Sequence, residues 1–144
     1  MRCLVTGGAG FIGSNLVELL LDNGHEVLVW DNFSTGRAQN LSHLESNGRL
    51  QIEEIDIASD QPLEVPPNID WVFHLAALAD IVPSIQNPDS YFQANVVGTF
   101  NLLQALNDRP IKKFVYAASS SCYGIPDTFQ QLNRPPIALS TRTR

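Results

Sequence analysis

The sequence predicts an α/β protein: a doubly wound parallel sheet of about five strands in the order 3-2-1-4-5, incomplete at its far edge. Three observations predict it. Short apolar runs alternate with stretches of helical period, the pattern of parallel strands joined by right-handed crossovers. The first of these runs ends in glycines, Thr6-Gly7-Gly8-Ala9-Gly10-Phe11-Ile12-Gly13. The residues equipped for chemistry each follow a predicted strand: Asp31, Asp56, His74 and Ser119 to Ser121. Ligands of such sheets bind at the carboxyl ends of the strands, near the switch between strands 1 and 4.

The elements follow in order. Residues 2–6 are an apolar run that reads as a buried first strand. From Ser14, Leu16, Val17, Leu20 and Leu21 recur at helical spacing, and Asn23-Gly24 supplies the stop. His25 to Trp30 is the second strand and Asp31 to Asn40 a polar loop. Leu50 to Ile57 alternates as a third strand, while Pro62, Pro66 and Pro67 forbid a long helix after it. Trp71 to Leu75 is the fourth strand. Tyr91 to Leu106 places Phe92, Val96, Val97, Phe100, Leu103 and Leu106 on one face of a long amphipathic helix. Lys113 to Ala118 is the fifth strand. Gln130 to Arg144 shows neither period and is expected to be a disordered tail.

Composition narrows the function. The 144 residues are 44% hydrophobic and 17% charged, an ordinary globular balance for one domain. The net charge of −6, without a Lys/Arg run, argues against nucleic acid and against an anionic membrane surface. No apolar stretch approaches the ~20 residues of a membrane span, and Thr6-Gly7-Gly8 arrives too early for a signal peptide. Cys3 and Cys122 are too few for a disulfide framework or a zinc site, so no metal and a cytoplasmic location are expected.

The glycines carry the first chemistry. Gly8, Gly10 and Gly13 satisfy one phosphate-loop spacing, and Gly7, Gly10 and Gly13 another. The early glycines allow a tight turn, Gly10 lets the backbone approach a pyrophosphate, and Gly13 lets the helix lie close to the strand. The helix N-terminus then faces the phosphates with free N–H groups. Asp31 follows the last glycine by 31 − 13 = 18 residues. A carboxylate there accepts from the adenosine ribose hydroxyls and repels a 2′-phosphate, which favours NAD over NADP; Asp31-Asn32 is also an ordinary turn dipeptide. Asp56, beside Ile57, could meet the adenine amino group or simply face water. His74-Leu75-Ala76-Ala77 puts small residues where a cofactor would cross the sheet edge, with His74 itself a structural histidine in the plainer reading. Asn95 could equally be a helix-packing amide. A hydroxyl at Ser119 faces the nicotinamide region, or belongs to a serine-rich loop.

Together these residues resemble the extended short-chain dehydrogenase/reductases, the NAD-dependent epimerase/dehydratase family, and in particular its UDP-glucose 4-epimerase-like members. The matching words are Thr6 to Gly13, Asp31 to Arg37, Asp56-Ile57, His74 to Ala77, Asn95-Val96-Val97-Gly98-Thr99 and Ser119 to Gly124. The resemblance implies a Rossmann NAD-binding domain over residues 1–129. It implies dinucleotide contacts from Gly7, Gly10, Phe11, Ile12 and Gly13 in the turn and from Asp31 and Asn32 after strand 2. Further contacts would come from Asp56 and Ile57 after strand 3, from Leu75, Ala76 and Ala77 after strand 4, and from Asn95. It implies a UDP-sugar partner oxidised and re-reduced at C4; a homodimer or other self-association is expected from the sheet edge left exposed after the fifth strand. The active hydroxyl, four residues before the Tyr of Tyr123-Gly124, would be Ser119. Sugar dehydratases carry Thr-Asp-Glu from that position, whereas Ser120 and Ser121 stand here, which argues against a dehydratase; the resemblance favours an epimerase, with a UDP-sugar decarboxylase the weaker alternative.

One departure is large. The family's base is the tyrosine of Tyr-x-x-x-Lys, but Tyr91, Tyr116 and Tyr123 are followed four residues later by Asn95, Ser120 and Asp127. A chain without that pair and without a sugar-binding lobe is expected to bind nucleotide and not to turn over. A non-catalytic nucleotide-binding module is the competing reading. Codons that encode Leu139 to Arg144 also permit Gln-Tyr-Pro-Tyr-Ala one frame over, so the tail is expected to be a frameshifted reading of an epimerase gene.

Overall fold

A computed structural model describes residues 1–119. Five strands form one parallel sheet in the order β3-β2-β1-β4-β5: β1 (Arg2–Thr6), β2 (Glu26–Asp31), β3 (Leu50–Glu54), β4 (Trp71–His74) and β5 (Lys113–Tyr116). The expected order is the observed one. Helix α1 (Phe11–Asp22) connects β1 to β2. The crossover from β4 to β5 holds α2 (Ile81–Gln86), α3 (Pro88–Phe92), a π-helical turn at Gln93–Val97, and α4 (Gly98–Leu106).

Period-2 alternation divides the central strands between two cores. Cys3 and Val5 of β1 and Val27 and Val29 of β2 pack with Val17, Leu20 and Leu21 of α1. Leu4, Leu28, Trp30 and Val72 point the other way, onto Leu102 and Leu106 of α4, with Ile57, Val65 and Ile69. Strands buried on both faces read as continuous apolar runs, which is why β1 and β2 stood out in the sequence. Cys3 lies in the first core, and burial pushes its thiol up to about 11, so it is not a nucleophile at neutral pH. Among the described residues no helix is long and apolar enough to cross a membrane.

Helix ends obey local chemistry. Helix α1 closes at Asn23, whose N–H and side-chain amide both donate to the Leu19 carbonyl, and Gly24 follows at φ +78°. Asn23-Gly24 is the stop that the sequence announces. The helix begins at Phe11, three residues before the apolar period does, because the glycine turn runs straight into it.

Other boundaries move more. β3 ends at Glu54 and leaves Asp56 and Ile57 in the turn beyond it. The expected 91–106 helix begins at Pro88 and changes pitch at Gln93. Its buried line is Gly98, Leu102 and Leu106. Phe92, Val96, Phe100 and Leu103, expected on the inward face, are exposed. The reason is steric: a Cβ on Gly98 would sit 2.9 Å from Ile57 Cγ1, so the helix crosses the sheet on its glycine and turns the large side chains outward. Helix α2 was not foreseen, since its apolar residues Ile81, Val82 and Ile85 all face solvent.

The turn between β1 and α1 is held by backbone contact. A Cβ on Gly13 would overlap the Gly7 carbonyl oxygen and stand 2.7 Å from Gly8 Cα. Gly13→Ala is therefore expected to cost about 2–3 kcal/mol, as overpacking against atoms that cannot yield. Gly48→Ala, where nothing lies within 4 Å, should stay within about 0.5 kcal/mol of the parent. Urea melts of the two variants check this; equal midpoints would show that the turn has slack.

Candidate functional site

A cavity of about 630 Å³ opens at the carboxyl edge of the sheet, astride the switch between β1 and β4. Gly7 and Gly10 form its floor; Trp30 to Asn32 and Ser34 to Gly36 close the β2 side, and Ile55 to Ala58 lie beyond β3. Leu75 to Leu78 close the β4 side, and Asp89, Ser90, Gln93 and Ala94 overhang from the crossover helices.

Each glycine has its own reason. Gly7 sits at φ +71°, and a Cβ there would be 2.7 Å from the Ala76 backbone nitrogen. Gly8 presses on Val29, with a Cβ 2.7 Å from its Cγ1. Gly10 differs: a Cβ would meet only the Gly7 carbonyl oxygen, at 3.3 Å. Packing presses less on this glycine than on Gly7, Gly8 and Gly13. The missing side chain instead leaves a clear approach from the cavity to the start of α1. Gly10 is the N-cap and offers no side-chain acceptor, and the first turn carries no acidic residue. The N–H groups of Phe11, Ile12 and Gly13 lie at the end where helix geometry provides no intrahelical partner. Phe11 and Ile12 are themselves largely exposed. An anion at this spot meets N–H donors and the positive end of the helix dipole.

Asp31 ends β2 with its carboxylate buried. Oδ2 accepts from the Ala9 N–H at 2.9 Å and Oδ1 from the Phe33 N–H at 2.9 Å. Ala9 is gripped on its other side too, its carbonyl accepting from Arg37 N–H (3.1 Å) and Asn40 Nδ2 (2.8 Å). Gly36 makes room for the carboxylate, since a Cβ there would stand 2.7 Å from Oδ1. One lone pair on each Asp31 oxygen remains for hydroxyls entering from the cavity. Asn32 lines the wall beside it, its side-chain oxygen accepting from Ser34 N–H and Oγ. Asp56 is exposed, with Oδ1 accepting from Ala58 N–H at 2.9 Å, and Ile57 is buried.

On the β4 side, Leu75, Ala76 and Ala77 line the cavity as expected. Asn95 does so indirectly. Its amide grips Leu78 twice, Nδ2 donating to the Leu78 carbonyl (2.9 Å) and Oδ1 accepting from the Leu78 N–H (2.8 Å). His74 is buried between Thr6 Oγ1, 2.6 Å from Nδ1, and Thr99 Oγ1, 2.9 Å from Nε2. Its ring thus ties β1 to α4 through two threonine hydroxyls. Ser119 follows β5 by three residues at the same sheet edge; Ser120, Ser121, Cys122 and the expected tail from Gln130 lie outside the described residues. Among the described residues no group of His, Cys, Asp or Glu is placed to hold a metal.

Sequence reasoning missed the overhang formed by Asp89, Ser90, Gln93 and Ala94, and the partners Thr6 and Thr99. The overhang had a signal. Asn87-Pro88-Asp89 is a helix start, with Asn87 Oδ1 accepting from Ser90 N–H at 3.5 Å and Pro in the first turn. The threonines had none, because only the fold brings residues 6, 74 and 99 together.

Burial pushes the His74 imidazole below its ordinary value near 6.5. The folded state then keeps His74 neutral while the unfolded chain takes up a proton as pH falls below about 6.5, so His74 withdraws stability on acidification and is fully compatible with folding above that pH. Thermal melts should show the melting temperature falling from pH 6.5 to pH 5 more steeply in the parent than in His74→Gln. Parallel slopes would show that His74 does not carry the effect.

Comparison with known proteins follows the geometry. A family model described as the NAD dependent epimerase/dehydratase family matches residues 3–142. The chain is 44% identical over 126 residues to UDP-glucuronic acid decarboxylase 1 of Arabidopsis thaliana, covering 88% of this chain and 28% of that protein. It is 38% identical over 143 residues to the UDP-glucose 4-epimerase of Mycolicibacterium smegmatis, covering 95% and 45%. Among solved structures it resembles the UDP-glucuronic acid 4-epimerase of Bacillus cereus, in complex with NAD and UDP-4-deoxy-4-fluoro-glucuronic acid. That match has a TM-score of 0.81 at 33% identity and covers 95% of this chain and 46% of that one. The chain thus spans less than half the length of these relatives.

Proposed function

Since the chain belongs to the NAD dependent epimerase/dehydratase family, we propose that it is the NAD-binding part of a UDP-sugar 4-epimerase-like enzyme. The observation that carries this reading is Gly10, the least crowded glycine of the turn, standing at the uncapped start of α1 and lining the cavity. A diphosphate fits there: the N–H groups of Phe11, Ile12 and Gly13 would hold it, with Gly7 keeping the loop low. Asp31 would take the adenosine ribose hydroxyls, with Asn32 beside it. Asp56 and Ile57 would border the adenine. Leu75, Ala76 and Ala77 would carry the remainder of the dinucleotide across β4, with Asn95 fixing the end of that segment through Leu78.

When bound, NAD would supply a hydride acceptor for C4 of the sugar. The Ser119 hydroxyl would sit at the carboxyl edge beside it and hydrogen-bond the sugar oxygen. A hydroxyl is not a base, and no Tyr-x-x-x-Lys occurs in these 144 residues. General base catalysis typically contributes about 10²–10⁴-fold, so the chain by itself would bind without turning over. A second reading, part of a UDP-glucuronic acid decarboxylase, is favoured by the 44% identity to the Arabidopsis enzyme. It keeps the same NAD and UDP-sugar chemistry at the surfaces described.

Calorimetry with NAD and NADP tests the assignment. NAD should bind at least about tenfold more tightly, because a 2′-phosphate would meet the buried Asp31 carboxylate in a site where charge is poorly screened. Asp31→Ala should narrow the gap, and UDP-glucose incubated with the chain and NAD should remain unconverted. Equal binding of the two dinucleotides would overturn the assignment, and epimerised product would overturn the expectation that the chain alone does not turn over.

Self-association is part of the proposal. Among the described residues β5 is an edge strand with all its side chains exposed, and Phe92, Val96, Phe100 and Leu103 form an outward apolar stripe. Unpaired edges and apolar patches of this kind recruit further chains. Size-exclusion chromatography of the 144 residues should show dimers or larger species; a sharp monomer peak at tens of micromolar would contradict it.

A further inference from the structure

His74 lies at the centre of a polar chain that the dinucleotide reading does not use. Thr6 on β1 meets its Nδ1 at 2.6 Å, and Thr99 on α4 meets its Nε2 at 2.9 Å. One proton assignment satisfies every contact of this chain at once. The Thr99 hydroxyl donates its hydrogen to the Asn95 carbonyl, 2.7 Å away, so towards His74 it can only accept. His74 must then carry its proton on Nε2, and Nδ1 must accept from the Thr6 hydroxyl. That leaves the Thr6 oxygen free to accept from the Ala76 N–H, at 3.4 Å. Every hydrogen in the chain has one place to go.

The two ends of this chain bracket one segment. Ala76 is held at the Thr6 end. At the other end, Asn95, whose carbonyl receives the Thr99 hydroxyl, holds both backbone groups of Leu78. Leu75 to Leu78 form the β4 wall of the cavity, and Gly7 fits beneath Ala76 only because it lacks a Cβ. Asn95 occupies the π-helical turn, the one place where the crossover helix departs from α pitch among the described residues. Such turns concentrate at functional sites because they re-aim a side chain.

We propose that His74 is a positioning residue for dinucleotide binding: its neutral Nε2–H form couples Thr6 to Thr99 and sets the Leu75–Leu78 segment against the half of the ligand beyond the diphosphate. The inference rests on the NAD reading. β4 lies across β1 from β2, so the segment acts on the part of the dinucleotide remote from Asp31. AMP, which needs only the Asp31 side, is therefore the control ligand.

The experiment compares NAD and AMP binding by calorimetry for the 144-residue chain, Thr99→Val and Thr99→Ser. Valine keeps the shape and removes the acceptor, leaving the buried Nε2–H without a partner; serine restores the hydroxyl. Thr99→Val should weaken NAD by about tenfold, change AMP by less than about twofold, and be rescued by Thr99→Ser. Nitrogen-15 NMR of the parent should show His74 as the Nε2–H tautomer. An unchanged NAD affinity in Thr99→Val, equal losses for NAD and AMP, or an Nδ1–H ring would overturn the inference. Should Thr99→Val fail to fold, Thr6→Val, which breaks the chain at Nδ1, takes its place with the same criteria. A parent that binds AMP and NAD equally weakly would instead sink the NAD reading, and this inference with it.

Discussion

Backbone lies directly on backbone where β1 turns into α1, and much of the site depends on that contact. Gly13 rides on the Gly7 carbonyl, and Gly7 rides beneath Ala76. No side chain fits in either gap. The result is a helix whose start lies at the sheet edge, with Gly10, its N-cap, lining the cavity. A methyl group at either position would lift α1 or the β4 segment away and open the cradle that an anion would occupy.

Two polar devices brace that contact from opposite sides. On the β2 side, Asp31 accepts from Ala9, inside the glycine turn, and from Phe33, at the start of the next loop. One carboxylate thereby fixes both lips of the cavity and still presents acceptors to it. Phe33 takes φ 54° there, a left-handed conformation uncommon for a bulky residue. On the β4 side the load is carried by neutral groups, Thr6, His74, Thr99 and Asn95. The division has a physical basis. A charge beside the glycine turn is tolerable where it accepts from two backbone N–H groups, whereas burial on the β4 side disfavours a charged His74.

The sheet and its order were legible because β1 and β2 are buried on both faces and punctuated by glycines. The α1 stop was legible because Asn23-Gly24 acts locally. The glycine turn, Asp31 and Leu75 to Ala77 stood out as candidates because each directly follows a strand, and Gly7, Gly10, Asp31 and Leu75 to Ala77 line one cavity. What stayed hidden depends on distant neighbours. The outward turn of Phe92, Val96, Phe100 and Leu103 follows from Gly98 meeting Ile57, residues 98 − 57 = 41 apart. An amphipathic pattern says that a helix has an apolar face; it does not say which of two apolar lines the sheet takes. The role of Asn95 depends on a change of helical pitch that no local signal marks, and the partnership of His74 with Thr6 and Thr99 depends on strand register.

The central claim is that a dinucleotide diphosphate sits on the start of α1. Amide chemical shifts of the isotope-labelled chain, recorded as NAD is added, test it most directly. The account predicts the largest shifts at Gly10, Phe11, Ile12 and Gly13, with Asp31 and Ala76 following. Saturable shifts confined to another surface, such as the cleft between Ser59–Leu63 and α4, with the Gly10–Gly13 amides unmoved, would contradict it.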